Sequence, residues 1–321
     1  MGIRLGYACI SIPMRNKNIY TGRTLTLKSL QERGIAAAKL LAEKNIDDLI
    51  TIIEFNEKRG FRFFRITSNL FPHIDNPLAK GYNIDFARDK LATAGALARS
   101  YGHRLTMHPG QFAQLGSPRP EVVDQTIRDL TTHADILTAM GMTPSLGSVM
   151  IIHGGGTFGD KKATLARWVD NFKHLPKHAQ EYISLENDEW QYSVLDLLPI
   201  CEELSIPLCI DYFHHSVGHA DQFNIYDSGL IARVMNTWKL RGIKPKCHWS
   251  NQAQNSRKGA HGDCVDDIPV EILKICAEYD CDIMIEAKNK DECSANIYEK
   301  YFNRSEVNNR VEWYIKDQYK Y

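Results

Sequence analysis

The chain has 321 residues, of which 43% are hydrophobic and 24% are charged. This composition is typical of a folded globular protein and excludes a collagen-like or largely disordered chain. Basic and acidic residues are equal in number, 39 of each, which excludes a uniformly cationic nucleic-acid binder. The charge is uneven, because residues 1–100 contain 16 basic and 9 acidic side chains and the remainder contains 23 and 30. A basic surface beside an acidic site is compatible with this distribution, as is a solvated basic helix face.

The apolar runs and the cysteines indicate the class of protein. The longest apolar runs have the length of strands, whereas a membrane-spanning helix needs about 20 apolar residues, so we expect no membrane span. The first residues lack the pattern of a secretion signal, and we expect an intracellular protein, cytoplasmic or nuclear depending on the organism. Eight cysteines form no CxxC pair. We therefore expect reduced thiols in the core rather than disulfides or a zinc ribbon.

Short β-rich runs alternate with helical stretches in chain order. The predicted strands are Ile3–Ile10, Phe61–Thr67, Arg104–His108, Ser148–His153, Tyr182–Glu186, Pro207–Tyr212, Lys244–Trp249 and Asp282–Glu286. The predicted helices cover about Thr26–Arg59, Ile84–Tyr101, Glu121–Met140, Lys161–Phe172, Val194–Leu204, Ile225–Leu240 and Pro269–Glu278. Parallel strands need crossover helices, and eight such units in sequence predict a closed TIM (β/α)8 barrel.

The chain shows no linker, repeat or low-complexity tract, and we expect a single domain over residues 1–321. The barrel is expected over about residues 3–300 and a C-terminal flank over about 301–321. The charged and aromatic tail, Asn289–Tyr321, predicts a last helix followed by this flank. No GxGxxG follows the first strand, so a doubly wound sheet with a nucleotide cofactor is not indicated.

Chemically active residues follow the predicted strands, at the end where a barrel of this kind has its active site. They are His108, His153, Glu186, Asp211, His214, Lys246, His248 and Glu286, with His261 in the loop after the seventh strand. A single histidine at a strand end is usually a packing residue. Histidines and carboxylates at six consecutive strand ends would be costly to bury together without a positive centre, which divalent metals supply.

The mixture of imidazole and carboxylate ligands suits manganese, zinc or iron better than calcium or magnesium. No thiolate lies at a strand end in the pattern of a structural zinc site, and Cys247 should point away from its neighbours Lys246 and His248. Three carboxylates, Glu186, Asp211 and Glu286, can bridge ions. A cluster of metals is a common device for activating water and stabilising both oxygens in a phosphoryl displacement.

A resemblance to a known family rests on motifs that span nearly the whole chain in a fixed order. They are FRFFRITSNLFPH, HPGQF, HGGG, SLEND, DYFHH, KCHWS, HGD and IEAKNKD. In this order they resemble the UV damage endonucleases, relatives of endonuclease IV among the xylose-isomerase-like barrels. The resemblance implies a metal-dependent DNA repair enzyme that nicks damaged duplex DNA immediately 5′ of ultraviolet photoproducts, namely cyclobutane pyrimidine dimers and 6-4 photoproducts.

The resemblance also implies how the ligands are shared. It implies a cluster of two to three divalent ions, manganese ahead of zinc or magnesium. The implied ligand sets are His108, His153 and Glu186; Glu186, Asp211, His248 and Glu286; and His214 with His261. Glu186, Glu286, Lys246 and His73 are the expected catalytic residues. An ammonium group beside divalent ions would be repelled, so Lys246 either contacts a phosphate or is modified, for example as a carbamate.

Three residues resemble the family's contacts with the lesion. Gln111 and Phe112 match a pair that probes the duplex, and a planar amide with an aromatic ring can fill the gap left by extruded bases. Without the resemblance, Phe112 would be read as a loop residue packed on the barrel rim. Tyr7, at the end of the first strand, resembles an aromatic residue of the lesion pocket. Ser11 stands where some relatives carry Asn, and it receives no role.

The sequence therefore predicts a monomeric enzyme that binds damaged double-stranded DNA and cleaves it by metal-activated hydrolysis. Two alternatives stay open. A metal-dependent sugar isomerase could use the same barrel and ligand types, but the Gln111–Phe112 pair and the basic first hundred residues disfavour it. A DNA-damage binding factor without catalysis is the other alternative, and the intact ligand series disfavours it.

Overall fold

Eight parallel strands form the centre of the molecule in the computed structural model, which describes residues 2–110 and 112–320. These strands are β1 (Leu5–Ala8), β2 (Phe63–Ile66), β3 (Arg104–Met107), β4 (Met150–His153), β5 (Ile183–Glu186), β6 (Leu208–Cys209), β7 (Lys246–Trp249) and β8 (Asp282–Ile285). Consecutive strands pair in parallel from β1 to β6, and β8 pairs with both β1 and β7. A parallel bridge between Asp211 and His248, with the His248 amide 2.9 Å from the Ile210 carbonyl oxygen, joins β6 to β7 and closes the ring.

Helices surround this ring and connect the strands. They are α1 (Ile12–Arg15), α2 (Leu27–Arg59), α3 (Arg88–Tyr101), α4 (Pro120–Ala139), α5 (Lys161–Phe172), α6 (Lys177–Tyr182), α7 (Val194–Leu204), α8 (Tyr212–Gly218), α9 (Ser228–Leu240), α10 (Val270–Tyr279) and α11 (Lys290–Tyr301). Short 3-10 turns lie at Pro77–Ala79, Asp85–Ala87, Pro144–Leu146 and Asp317–Tyr319. The predicted barrel is confirmed, and each predicted strand and helix is present with shorter or slightly shifted ends.

The long helix α2 shows how local chemistry sets the element boundaries. Thr26 caps its N-terminus, since the Thr26 hydroxyl accepts a hydrogen bond from the Ser29 amide at 3.1 Å. Gly34 has a non-helical backbone (φ 68°, ψ −175°), so the segment is two helices joined at a kink. Gly60 ends it in the left-handed conformation (φ 72°), where a Cβ atom would lie 2.7 Å from the Val311 carbonyl oxygen.

Alternation along the strands divides the core into two parts. Most buried apolar side chains lie between the outside of the barrel and the helices. Smaller clusters fill the barrel itself, and one of them contains Ala8, Phe63 and Met284. Phe63 occupies the space above Gly6, where an added Cβ atom would lie 2.5 Å from the Phe63 ring. The barrel is thus closed below its C-terminal end, and the residues at that end form a separate layer.

The C-terminal tail differs from the prediction. The last helix, α11, is present, but the segment predicted as a flank forms an antiparallel hairpin of β9 (Phe302–Val307) and β10 (Arg310–Ile315). Asn308 and Asn309, both with positive φ, make its turn. The hairpin packs beside the end of α2, where the Trp313 indole nitrogen donates a hydrogen bond to the Arg59 carbonyl oxygen at 2.9 Å.

Among the residues that the structure describes, no helix combines the length and the apolar character needed to cross a membrane.

Candidate metal centre

The C-terminal end of the barrel brings together all eight predicted metal ligands. Five of the six strands β3 to β8 supply a ligand in their last two residues or in the residue after the strand, and Asp211 lies two residues beyond β6. The ligands are His108, His153, Glu186, Asp211, His214, His248, His261 and Glu286. Because parallel strands end at one rim of the barrel, residues far apart in the sequence become neighbours there.

Glu186 lies at the centre of this cluster and is fully buried. Its Oε2 atom lies 3.0 Å from His108 Nε2 and 3.5 Å from His153 Nε2. Its Oε1 atom lies 2.5 Å from His248 Nδ1, which is itself 3.5 Å from Glu286 Oε1. One carboxylate therefore faces three imidazoles from three different strands.

Three overlapping groups of potential ligand atoms each fit within 4.8 Å. The groups are His108, His153 and Glu186; Glu186, Asp211 and His214; and Asp211, His248 and Glu286. Glu186 and Asp211 each belong to two groups, so each of these carboxylates is shared between neighbouring groups. His261 lies outside the three groups, and its Nδ1 atom is 3.5 Å from Glu286 Oε2. The first group matches the predicted ligand set, whereas His214 lies with Glu186 and Asp211 rather than with His261 alone.

Buried atoms without hydrogen-bond partners support a cation at this position. Asp211 Oδ2 and His248 Nε2 are buried and have no hydrogen-bond partner among the described residues. Burial, with Glu186 and Glu286 nearby, raises the pKa of Asp211 to about 8 against the lowering effect of His214. Burial would likewise raise the pKa of Glu186, but His248 and His153 hold it well below its usual range. Imidazole and carboxylate donors left unpaired in this way fit a divalent ion.

The local backbone explains why Asp211 and His214 reach the cluster. Asp211 caps α8, and its Oδ1 atom accepts a hydrogen bond from the His214 amide at 2.7 Å. The buried Asn187 side chain bonds both the amide and the carbonyl oxygen of Asp211 at 2.9 Å. The Asn187 carbonyl oxygen also lies 3.1 Å from His214 Nδ1. Asn187 thus fixes the ends of β5 and β6 relative to each other, a role that the sequence reasoning missed.

Arg65 is a second residue that the sequence reasoning missed. Its guanidinium forms an ion pair with Glu286 inside the barrel rim. Burial would lower the pKa of Arg65, but Glu286 raises it, so the group stays charged. The sequence contains a signal for this contact, because strand alternation places Arg65 on the same face of β2 as the interior Phe63. A charged residue at an interior strand position indicates a buried partner of opposite charge.

Lys246 lies one step below His248 on the interior face of β7. It is almost completely buried, and its Nζ atom has no hydrogen-bond partner among the described residues. Its Nζ atom lies 5.7 Å from the ring centroid of Phe63. Burial, with Arg104 and Arg65 nearby, lowers the pKa of Lys246 to about 8. The interior position agrees with the prediction, and the chemical role of Lys246 stays a prediction.

The remaining predicted site residues lie in different surroundings. His73 has a left-handed backbone (φ 59°), and its Nε2 atom bonds the Leu25 carbonyl oxygen at 2.6 Å rather than a member of the cluster. Tyr7 has no exposed surface, and its hydroxyl donates to Asn56 Oδ1 at 2.7 Å, which places the ring between β1 and α2. A ring in that position has no surface for a base, so the expected lesion contact of Tyr7 is not supported.

The predicted probing pair lies on the loop after β3. Gln111 lies outside the described residues. Phe112 is 82% exposed, the largest exposed fraction among the exposed large hydrophobic residues. It lines an open pocket together with His153 and Asp188. The ring is therefore accessible from solvent on the same side of the barrel as the ligand cluster.

Comparison with known proteins decides the family. The profile described as UV-endonuclease UvdE matches residues 3–320. The chain belongs to this family. A protein of Acanthamoeba polyphaga mimivirus, provisionally named a UV-damage endonuclease, is 43% identical over 99% of this chain and 97% of its own length. The UV-damage endonuclease of Schizosaccharomyces pombe is 39% identical over 93% of this chain, which spans about half (50%) of that relative.

Solved structures agree with the UvdE assignment. The crystal structure of SacUVDE superposes with a TM-score of 0.81 at 29% identity and covers 93% of this chain and 98% of its own. D-psicose 3-epimerase from Clostridium cellulolyticum superposes with a TM-score of 0.53 at 16% identity, over 89% of this chain and 85% of its own. This second likeness shows a shared barrel fold alone.

Proposed function

We propose that this UvdE-family chain is a DNA repair endonuclease that nicks damaged duplex DNA immediately 5′ of ultraviolet photoproducts. Family membership over residues 3–320 supports the repair endonuclease activity. The observation that best supports metal-dependent hydrolysis is the position of Glu186. This buried carboxylate faces His108, His153 and His248 at the C-terminal end of the barrel. Such a site can hold the divalent ions on which many phosphodiesterases depend.

The proposed cofactor is a cluster of two to three divalent ions, with manganese favoured over zinc or magnesium. The ligands would come from the three ligand groups at the barrel rim, in which Glu186 and Asp211 each belong to two groups. His261, beside Glu286, would be a further ligand. When bound, the ions would supply Lewis-acid stabilisation of negative charge and activation of water. The donor set supports this proposal, because imidazole and carboxylate together suit manganese or zinc better than calcium.

The protein's own groups would orient the substrate around this centre. The exposed Phe112 ring is placed to stack on a base next to the extruded lesion, beside the pocket that contains His153. Photoproducts stack poorly, so their extrusion costs less than that of intact bases, and this difference provides selectivity without a base-sequence code. The Arg65 guanidinium would hold Glu286 in place at the rim.

We further propose that Lys246 carries a carbamate. Its neutral amine would add to carbon dioxide, forming an N–C bond and releasing one proton, and would become an anion. The supporting observations are the interior position of Lys246, the absence of a hydrogen-bond partner for Nζ among the described residues, and its neighbour His248 in the cluster. An ammonium group there would be repelled by divalent ions, whereas a carbamate would attract them.

A nicking assay tests the proposed function. End-labelled duplex DNA, irradiated or not, is incubated with the purified full chain and Mn²⁺ or with a chelator. We expect cleavage of irradiated duplex in the presence of Mn²⁺, with the nick mapped directly 5′ of the photoproduct. Binding of irradiated duplex without cleavage would contradict an endonuclease activity and would favour a damage-binding factor. The absence of both binding and cleavage would contradict the role in DNA repair and would favour the alternative of a sugar isomerase.

The assembly and the compartment are also proposals. An enzyme that acts on DNA works inside the cell, and we place it in the cytoplasm or nucleus according to the organism. We propose that it acts as a monomer on one duplex. Light scattering of the free chain and of its complex with irradiated duplex would test this, and a mass of two chains would contradict it.

A further inference from the structure

Three buried cysteines lie together on the outer side of β7, away from the candidate metal centre. They are Cys247 in β7, Cys276 in α10 and Cys281, which directly precedes β8. Their exposed fractions are 1%, 0% and 0%. All three are free thiols, and one ligand atom from each fits within 4.8 Å of the other two.

The spacing of the sulfur atoms fits a shared ion. Cys247 Sγ lies 3.7 Å from Cys276 Sγ, far longer than a disulfide bond of about 2.05 Å. An ion with metal–sulfur bonds of about 2.3 Å holds its thiolates roughly 3.8–4.0 Å apart. The Asp282 carbonyl oxygen lies 3.8 Å from Cys247 Sγ and 3.6 Å from Cys281 Sγ, so the sulfurs converge on one small volume.

An independent observation concerns Tyr212, at the start of α8. Its side chain is 1% exposed, and its hydroxyl has no hydrogen-bond partner among the described residues. Helix α8 packs against β7, the strand that carries Cys247. A buried hydroxyl without a hydrogen-bond partner is costly, so the Tyr212 oxygen indicates a missing partner in this part of the core.

We propose that Cys247, Cys276 and Cys281 bind a soft d10 metal ion such as Zn²⁺. Thiolates select this class of ion, in contrast to the imidazole and carboxylate groups at the barrel rim. The ion would join β7, α10 and the start of β8 on the outer side of the strand whose inner side carries Lys246 and His248. It would therefore be a structural site, separate from the nuclease chemistry.

The experiment uses the full chain produced in medium with added Zn²⁺ or Cd²⁺, so that the ion is present while the chain folds. Cd²⁺ is the optical probe, because sulfur-to-cadmium charge transfer absorbs in the ultraviolet and the ligand groups at the barrel rim contain no sulfur. Cys276→Ala and Cys281→Ala remove ligands. Cys201→Ala is the matched control, since Cys201 is fully buried in α7 and belongs to none of the ligand groups.

We expect the wild-type chain and Cys201→Ala to show the thiolate band and to hold one more ion per chain than Cys276→Ala or Cys281→Ala. Absence of the band in the wild-type chain would overturn the proposal, whether or not the variants fold. A band of equal strength in both ligand variants, or a non-reduced mass lower by two hydrogens from a Cys247–Cys276 disulfide, would also overturn it.

Discussion

Glu186 is the residue on which the candidate metal centre depends most directly. It connects two of the three ligand groups and contacts histidines from three strands. We expect Glu186→Gln to abolish nicking while binding to damaged duplex persists, because phosphate contacts dominate duplex affinity. Nicking and gel-shift assays on one irradiated duplex measure both properties.

The surface variant Glu202→Gln is the control for Glu186→Gln, since Glu202 pairs with Arg233 on the exterior of the barrel. Glu286→Gln should behave like Glu186→Gln. Nicking at the wild-type rate by either variant would remove that carboxylate from the reaction, and an effect in only one of them would contradict a cluster that needs both.

Phe112 is the exposed aromatic residue for which we propose a contact with DNA. If it stacks on a base, Phe112→Ala should weaken discrimination between irradiated and intact duplex by roughly 1–3 kcal/mol, with metal content unchanged. Competition binding with the two duplexes measures the difference. Leu240→Ala is the matched control, because Leu240 is exposed at the C-terminal end of α9, before β7 begins, at the opposite end of the barrel. Equal discrimination by the two variants would assign Phe112 to rim packing.

Lys246 carries a negative charge as a carbamate and a positive charge as an ammonium group, and the two states predict different results. If Lys246 carries a carbamate, Lys246→Ala should lower metal occupancy together with activity. Metal analysis of the variant and a native mass measurement of the wild-type chain test this. Unchanged metal content and no added carbon dioxide mass would exclude the carbamate. A flatter salt dependence of DNA binding in the variant, by about one phosphate contact, would then support an ammonium group on phosphate.

At the scale of elements, the C-terminal hairpin contacts both the end of α2 and the last helix, α11. Trp313 stacks on Tyr298 with ring centroids 4.9 Å apart, and its indole donates to the Arg59 carbonyl oxygen. We expect Trp313→Ala to lower the free energy of unfolding by about 2–3 kcal/mol, through lost packing and one lost hydrogen bond. Tyr314→Ala, on the exposed face of the same strand, is the matched control. Equal denaturation midpoints would contradict a stabilising hairpin.

The barrel elements were predictable because each carries its own local signal. Apolar runs of strand length alternate with helical stretches, and the predicted centres of all eight strands are confirmed. The hairpin carried a weaker signal. Its first strand exposes the charged residues Arg304 and Glu306 and the polar residue Asn303, so the pattern is hard to distinguish from a polar flank. Its stability comes from docking on α2 and α11, which local patterns do not report.

At the scale of the whole molecule, Asp282 is the centre of a buried ion-pair network at the end of the barrel opposite the candidate metal centre. Arg4 donates to its carboxylate from the backbone amide at 2.9 Å and from Nε at 3.0 Å. Arg104 Nη1 lies 2.9 Å away and Lys244 Nζ 3.1 Å away. These groups precede β1, begin β3 and precede β7, so one buried carboxylate ties four strands of the ring together.

Removing this charge should destabilise the whole fold. We expect Asp282→Asn to lower the free energy of unfolding at neutral pH by about 3 kcal/mol or more, because it leaves buried cations without a partner. Asp170→Asn, which breaks an exposed pair with Lys173, is the control. Chemical denaturation followed by circular dichroism measures both. Equal stabilities of the two variants would contradict a structural role for the buried carboxylate.

The same carboxylate predicts a pH dependence. Burial would raise the pKa of Asp282, but Arg4, Arg104 and Lys244 lower it from 3.8 to about 2. Because the folded-state pKa is the lower one, its stabilisation, about 2 kcal/mol, is complete above about pH 4 and is lost as the pH falls towards 2. The difference in unfolding free energy between wild type and Asp282→Asn should therefore shrink between pH 4 and pH 2. A constant difference would contradict this assignment.

The sequence by itself determined the barrel and the ligand candidates, because both follow from local periodicity and from the rule that parallel strands end at one rim. The tertiary structure alone decided which atoms face one another. It placed Tyr7 against α2, paired Arg65 with Glu286, brought His214 together with Glu186 and Asp211 and gathered three cysteines behind β7. Those contacts depend on side-chain direction and on packing between segments that are distant in the sequence, whereas sequence patterns record only the neighbourhood of each residue.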